Sequence, residues 1–420
     1  MPDPTGSPVQ CGAMGSVGLA QRLDAIAARR GFALPILSAL IALAGVTGLA
    51  YLHMQVDLGT YLLGGAHAFS ADLFTVTYPS DHLGFTYPPF AAVLFSPFAH
   101  VPIRAAEIAF SWLNLAALFT LLAVCLRAVC TTLARRTVLW WALILLVPAV
   151  MLDPVRQTFL LGQVNIFLAL IVIADMNLDL PIPRGILVGL AAAVKVTPII
   201  LVPYLFMTRQ ARSGARAVAA FVGAALFAVA ASPHDSWAYW SHYIRDPRRA
   251  GRLSWIGNQG LVGAIERMVG HTVSNQASFV VVITVGGIGL ALAALAFRRS
   301  SPLLGFLTVE ATESLANPVS WSHHFIWITL FIGWLALGVD RPRRGAWWAA
   351  GVAMLFWAAP TWWSPHGRDI PFAGRGWLIP LSDAYVFLFI VVLVAIAVRV
   401  YRTPAQREVI GSSPILHSSA

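Results

Sequence analysis

Long apolar stretches follow one another along most of this chain and decide what it can fold into. They fall near residues 32–52, 88–102, 105–127, 137–152, 163–178, 184–206, 214–232, 278–297, 301–316, 323–339, 345–359 and 381–400. Only 11% of the 420 residues are charged, and the mean hydropathy is +0.74. About 25% is usual in a soluble domain, and about 20 apolar residues span a bilayer as a helix. The sequence therefore predicts an all-α, polytopic membrane protein.

Basic residues separate many of these runs and predict which helix ends face the cytoplasm. The clusters are Arg29/Arg30, Arg127/Arg135/Arg136, Arg209/Arg212/Arg216, Arg298/Arg299, Arg341/Arg343/Arg344 and Arg399/Arg402. Because cytoplasmic loops carry an excess of Lys and Arg, we place all six clusters inside. This predicts about 11–13 transmembrane helices. A cytoplasmic tail (1–28) precedes the transmembrane domain (29–402), and a disordered cytoplasmic tail (403–420) follows it.

The same topology leaves most of the other polar residues on the outer side, where binding or chemistry is therefore expected. The net charge of +10 reflects arginines between the apolar runs, so we expect no nucleic-acid partner. One outer loop departs from the charge rule, with Arg245, Arg248, Arg249 and Arg252 in "RDPRRAGR". These arginines either form a solvated surface segment or bind the phosphates of a lipid substrate.

Asp57 follows the first apolar run, in "VDLGTYLLGGAHAF", a segment expected to lie along the membrane interface. Partial removal from water makes a carboxylate a better base. An Asp ahead of an apolar helix also fits an N-cap. The spacing leaves both interpretations open.

Lys195 is the only lysine in the chain, and it lies inside the apolar run 184–206. With Pro198 it predicts that this run breaks at "KVTP" into two short halves. A cation within the membrane is expected to have a function and a partner. Lys195 could neutralise a phosphate, snorkel to the surface, or pair internally with Asp153.

His323 and His324 begin an apolar run in "NPVSWSHHFIW". Adjacent side chains on a helix point about 100° apart, which argues against a chelated metal, and no metal is expected. An imidazole in contact with phosphate fits better. An interfacial belt of His and Trp is the alternative, because the chain has 15 tryptophans.

Taken in order along the chain, the motifs resemble glycosyltransferase family 87. They are "VDLGTYLLGG", "FTYPPFAAVLFSPF", "GQVNIFLALIVIAD", "GLAAAVKVTPIILVPYLF", "GNQGLVGAIERM" and "ANPVSWSHHFIW", within residues 50 to 340. The family contains polyprenyl-phosphate-sugar-dependent membrane enzymes of the GT-C type. The resemblance is greatest to the α-1,2-mannosyltransferases that build phosphatidylinositol mannosides and lipoarabinomannan.

The resemblance implies the roles of the polar residues. A polyprenyl-phosphate-mannose donor would present its sugar at the outer face of the plasma membrane to a mannosylated glycolipid acceptor. Asp57 matches the general base of an inverting transfer without a cofactor. His324, His323 and Lys195 would bind the donor phosphate. The predicted substrate-binding residues are Tyr61, Tyr87, Gln163, Asn165, Asn258 and Trp321.

Three alternatives to this assignment stay open. The family also contains arabinofuranosyltransferases, which use a different sugar. The segment "LGTYLLGGAHAF" departs from the loop of the pentamannoside-forming enzymes, which favours an enzyme that adds single branches to lipomannan. A transporter of lipid-linked sugars would share the hydrophobicity, but the two halves show no inverted repeat.

Overall fold

The computed structural model describes residues 8–79, 82–366 and 376–402. In these ranges the chain is helical, and its only β pairings are the isolated bridges Thr77–Gly84 and Asn258–Trp321. Helices α1 to α10 span Pro8–Arg29, Ala33–Leu52, Val56–Ala66, Pro89–Phe95, Ile103–Val129, Arg135–Ile144, Leu146–Met151, Asp153–Leu161, Asn165–Asn177 and Ile186–Val194. Helices α11 to α20 span Leu201–Met207, Ala211–Ala231, Pro233–Ser241, Leu261–Val269, Asn275–Arg299, Pro302–Ala316, Ile328–Leu337, Gly345–Ala358, Ile379–Ser382 and Ala384–Arg402. The all-α prediction is confirmed.

Five of the described helices are long and apolar enough to cross a membrane. These are α2, α5, α12, α15 and α20, with 19 to 27 residues each. At about 1.5 Å per residue, each covers a hydrocarbon core of about 30 Å or nearly so. The other predicted runs form shorter helices, and the count of 11–13 spans stays a prediction.

The run 184–206 is broken where the sequence predicts. Helix α10 ends at Val194, and Lys195 has extended backbone angles (φ −144°, ψ 123°). A 3₁₀ helix, Thr197–Ile200, then leads into α11. Pro198 has no N–H to donate to a continuous helix, so the break leaves the buried Lys195 at the end of α10.

Within the predicted N-terminal tail, helix α1 begins at Pro8. Its C-terminal end packs against the start of α6. Arg136 donates to the carbonyl oxygens of Ala27 and Arg30 at 3.3 Å each, and Asp24 accepts from the amide of Ala134 at 3.2 Å. The predicted C-terminal tail, 403–420, lies outside the described residues.

Several arginine clusters meet at one end of the helices, far along the chain from Asp57. Arg298 donates to the carbonyl of Met207 at 2.8 Å, and Arg299 donates to that of Val400 at 3.4 Å. Where α2 ends and α5 begins, the backbone N–H of Gln55 donates to the Glu107 carboxylate at 3.0 Å. The other end of α5, at Val129, packs against Gly333 of α17, and Asp340 just beyond α17 accepts from Ser301, next to Arg298 and Arg299, at 2.7 Å. The segment that carries Asp57 therefore lies at the end of α5 away from these arginines.

Candidate active site

Helix α3 presents Asp57 in its first turn. The helix begins at Val56, and Gln55 occupies the N-cap position. The interpretation of Asp57 as the N-cap is therefore wrong. Gln55 is buried, and its side-chain amide donates to the Ser111 hydroxyl at 2.8 Å and to the Phe159 carbonyl at 3.0 Å. These bonds fix the start of α3, where the helix dipole favours a negative charge.

Gln163 binds the Asp57 carboxylate directly. Its Nε2 donates to Asp57 Oδ2 at 2.6 Å. Its Oε1 accepts from the hydroxyls of Tyr61 at 2.6 Å and Tyr87 at 3.2 Å, and these two hydroxyls lie 2.9 Å apart. With both ends of its amide engaged, Gln163 holds the carboxylate in one orientation.

The turn between α8 and α9 brings Gln163 to Asp57. Gly162 has φ +72°, a conformation that glycine adopts without a steric cost. A Cβ there would lie 2.7 Å from the Cβ of Leu58 and 2.8 Å from that of Gln55. Since real Cβ atoms do not approach so closely, α3 packs against this turn only because residue 162 is glycine.

Lys195 joins the second half of the cluster. Its Nζ donates to Asn165 Oδ1 at 2.9 Å and lies 2.9 Å from His324 Nε2. It also lies 5.4 Å from the centre of the Tyr87 ring. Only 8% of Lys195 is exposed. Tyr87 thus connects the lysine to the Gln163–Asp57 pair.

Asp153 is not the partner of Lys195, so that alternative is wrong. The Asp153 carboxylate is buried. It accepts from the Trp362 indole at 3.0 Å and the Tyr385 hydroxyl at 3.2 Å, and Arg156 lies at 3.4 Å. These contacts tie α8 to the helices near the C-terminus, away from the lysine.

Of the two histidines, His324 faces Lys195. Its Nδ1 is buried and has no hydrogen-bond partner. His323 is 7% exposed, its carbonyl oxygen accepts from Asn165 at 2.8 Å, and its Nε2 also has no partner. The two rings are in edge contact, 4.9 Å between centres. Both imidazoles therefore lie beside the lysine, and His324 makes the direct contact.

The side-chain amide of Asn258 forms all of its hydrogen bonds with backbone groups. Its Nδ2 donates to the carbonyls of Leu253 (2.8 Å) and Pro318 (2.9 Å). Its Oδ1 accepts from the amides of Gly260 (3.1 Å) and Ser320 (2.8 Å). Two donors and two acceptor positions are all that an asparagine side chain has, so none remains for a substrate. Half-buried Trp321 pairs with Asn258 through the isolated bridge.

Two arginines of "RDPRRAGR" have structural partners. Arg248 donates to Glu266 at 2.7 Å and to the Val273 carbonyl at 2.9 Å. Arg249 donates to the Phe74 carbonyl at 2.9 Å and stacks over the Tyr243 ring at 4.0 Å. These contacts argue against a purely solvated segment, while the buried Nη1 of Arg249 has no hydrogen-bond partner, so the phosphate alternative stays a prediction. Both fasten the loop to the protein.

A cavity opens beside Lys195 between α9, the helix break, α16 and the 3₁₀ helix Ser322–Trp327. Its volume is about 60 Å³. Its walls are mostly apolar, and its polar groups are Asn165, Lys195, Thr197, His324, Glu310 and Glu313. The two glutamates were missed by sequence reasoning. The signal was present, since an ionisable residue inside an apolar run, here 301–316, is expected to have a function.

Comparisons with known proteins agree with the motif order. The profile of glycosyltransferase family 87 matches residues 85–318. No solved structure matches the chain.

Two relatives that match most of this chain are mycobacterial proteins. A Mycobacterium tuberculosis protein is 30% identical over 86% of this chain and 89% of its own length. It is named polyprenol-phosphate-mannose-dependent alpha-(1-2)-phosphatidylinositol mannoside mannosyltransferase. A Mycolicibacterium smegmatis protein is 33% identical over 77% of this chain and 80% of its own length. Its name gives a phosphatidylinositol pentamannoside in place of the mannoside. The chain therefore belongs to glycosyltransferase family 87 and is a membrane glycosyltransferase.

Proposed function

We propose that this enzyme transfers mannose from polyprenyl-phosphate-mannose to the 2-hydroxyl of a mannose on a phosphatidylinositol mannoside. The observation that carries the proposal is the connected cluster running from Asp57 through Gln163 and Tyr87 to Lys195 and His324. It combines a fixed carboxylate with a cation and an imidazole. These are the groups that a sugar transfer from a phosphate ester requires.

Asp57 acts as the general base in this proposal. The acceptor oxygen attacks the anomeric carbon as its proton passes to the carboxylate. The bond between that carbon and the phosphate oxygen breaks in the same step, which inverts the configuration. Gln163 orients the carboxylate through its hydrogen bond of 2.6 Å and does not itself accept the proton. A positioned base contributes about 10²- to 10⁴-fold.

Lys195 and His324 receive the leaving group. The polyprenyl phosphate departs with both electrons of the broken bond, and a buried ammonium stabilises that charge more strongly than water does. The lysine contacts Asn165 and His324, 2.9 Å from each, so it is oriented before the donor arrives. The apolar walls of the adjoining cavity suit an isoprenoid chain.

We further propose that the site faces the outside of the plasma membrane. The support is the separation of the Asp57 segment from the arginine clusters, together with the positive-inside tendency. The transmembrane domain, in this proposal, is residues 29–402.

The names of the relatives favour a phosphatidylinositol mannoside over a lipomannan backbone as acceptor. They also favour mannose over arabinose as the sugar. Among the predicted substrate-binding residues, Trp321 is the aromatic surface that suits a sugar ring. The proposal assigns Tyr61, Tyr87, Gln163 and Asn165 to orienting the acidic and basic groups, and Asn258 to holding the loop.

The test uses the purified full chain in lipid nanodiscs, labelled polyprenyl-phosphate-mannose and a phosphatidylinositol mannoside acceptor. We expect an α-1,2-linked product. Asp57→Asn should bind the donor and lose about 10²- to 10⁴-fold in transfer. The matched control is Asp179→Asn, an exposed aspartate in the loop between α9 and α10, which should transfer normally.

Two results would contradict the proposal. Near wild-type transfer by Asp57→Asn would show that Asp57 is not the general base. Movement of donor across a vesicle bilayer with no labelled acceptor would favour the transporter. Replacing the donor with polyprenyl-phosphate-arabinose tests the sugar, and we expect no transfer from it.

A further inference from the structure

Glu310 and Glu313 line the same cavity as Lys195 and His324, yet the proposed transfer does not use them. They lie three residues apart on α16, so their side chains share one face of the helix. The wall around them is apolar, formed by α9, the helix break and Trp327. Two carboxylates therefore share one cavity with Lys195, the cavity that the proposed function gives to the donor.

The other charged groups near α16 are occupied elsewhere. On neighbouring helices, Arg298 and Arg299 donate to backbone carbonyls, and Asp175 accepts from backbone amides. The other groups form side-chain pairs: Arg267 with Asp383, Glu266 with Arg248, and Tyr385 with Asp153. The only described side-chain hydrogen bond to either carboxylate comes from Asn317 Nδ2, which donates to Glu313 Oε1 at 2.9 Å. The titratable groups that face the pair across the cavity are Lys195 and His324.

An anionic lipid phosphate changes the charge balance of this cavity. Without it, one ammonium faces the carboxylates, and the buried Nδ1 of His324 has no partner. With it, the phosphate competes for the same ammonium. Uncompensated anions in a poorly hydrated cavity are costly, and a carboxylate in that position takes up a proton instead.

We propose that Glu313, supported by Glu310, is a proton-linked counter-ion of Lys195. It is ionised while the cavity is empty of phosphate and protonated when the donor phosphate takes its place beside the lysine. The proton comes from solvent and forms the O–H bond of the Glu313 carboxyl group, and no other covalent bond of the protein changes. Glu313 is thus a positioning residue that makes donor binding depend on pH. This inference rests on the proposed function, because it uses the donor site defined there.

The experiment measures binding of a short-chain isoprenyl phosphomannose to the full chain in nanodiscs, from about pH 5 to about pH 9. This phosphodiester keeps a single negative charge throughout that range. For the wild type we expect affinity to fall as pH rises, by up to about tenfold per pH unit, since one proton is taken up per donor bound. Glu313→Gln should lose this slope over the pH range in which Lys195 keeps its proton, and should bind there as tightly as the wild type does at the lower pH. Glu313→Asp should restore the slope.

A second readout does not depend on any variant. Calorimetry in two buffers that differ in ionisation enthalpy should report proton uptake on donor binding that rises with pH towards one proton per donor. His324→Gln should keep the slope if the carboxylate is the titrating group. A slope that disappears in His324→Gln and persists in Glu313→Gln would assign the proton to the imidazole and overturn the inference. So would a wild type that binds the donor with no pH dependence and no proton uptake.

Failure of the proposed donor site has a different signature. Lys195→Met should weaken donor binding at every pH. If the wild type binds donor and Lys195→Met binds it equally well, the phosphate is held elsewhere, and both the donor site and the counter-ion are wrong. If Lys195→Met weakens binding and Glu313→Gln leaves the slope intact, the donor site stands and only the counter-ion is wrong.

Discussion

The contact between Gln163 and Asp57 is the residue-level feature on which the transfer depends most. Gln163→Leu removes the donor to Asp57 Oδ2 and the acceptor for two tyrosine hydroxyls. Because a displacement of about 1 Å in a catalytic group can cost about 10²-fold, we expect kcat to fall by about 10- to 100-fold. Donor KM should change much less. Steady-state kinetics in nanodiscs give both values.

Gln157→Leu is the matched control for that variant. It makes the same substitution on α8, where Gln157 donates at 3.4 Å to Asp153, a carboxylate with several other partners. It should keep kcat close to that of the wild type. If both variants lose activity equally, the loss comes from helix packing and Gln163 has no special role in holding the base.

Sequence reasoning could find single residues but not their pairing. Asp57 and Lys195 were recognisable because a charge beside or within an apolar run is unusual. Gln163 lies 106 residues from Asp57 along the chain, and no local pattern reports such a contact. Glu310 and Glu313 carried the same signal as Lys195. The hydropathy of the run 301–316 indicates only a span, so these two carboxylates do not stand out within it.

At the scale of helices, the turn at Gly162 sets the spacing between α3 and α9. Gly162→Ala forces a residue with a Cβ into a left-handed conformation, at about 1–2 kcal/mol, and brings that Cβ within 3 Å of Leu58 and Gln55. We expect a lower midpoint of thermal unfolding in nanodiscs. Transfer should fall as well, because Gln163 follows directly.

Gly45→Ala controls for the loss of a glycine. Gly45 lies on α2 with no other atom within 4 Å of the added Cβ, so this variant should unfold and transfer like the wild type. Equal behaviour of the two variants would show that the turn tolerates a side chain. The close packing of α3 would then have no bearing on activity.

Helix boundaries followed from the sequence where the chemistry is local. The break at "KVTP" was predictable because Pro198 removes a donor and Lys195 interrupts an apolar run. Helix α1 was not, because its packing depends on Arg136 and Asp24 bonding to backbone groups more than 100 residues away. The number of complete spans also depends on tertiary packing, since short helices such as α10 and α11 cannot cross a bilayer singly.

For the whole molecule, the two ends of the helices have different compositions. The arginines at the ends of α15 and α20 contact neighbouring helix ends, and Arg399 lies 3.7 Å from Asp340. The other end holds Asp57, the Lys195 break and the start of the histidine segment. This division suits an enzyme whose substrates are both lipids, because the reacting groups meet at one membrane surface while the lipid chains stay in the bilayer.

The sidedness of that arrangement gives a test at the same scale. Ser70 follows α3 and is exposed, and Ala211, among the arginines at the start of α12, is also exposed. In a Cys11→Ser background, where Cys125 and Cys130 are buried, Ser70→Cys should react in intact cells with a membrane-impermeant thiol reagent. Ala211→Cys should react only after permeabilisation, because the positive-inside tendency places its neighbours Arg209 and Arg212 in the cytoplasm. The reverse pattern would put Asp57 on the cytoplasmic side, where an outward-facing donor sugar could not reach it, and the base would then need a different substrate.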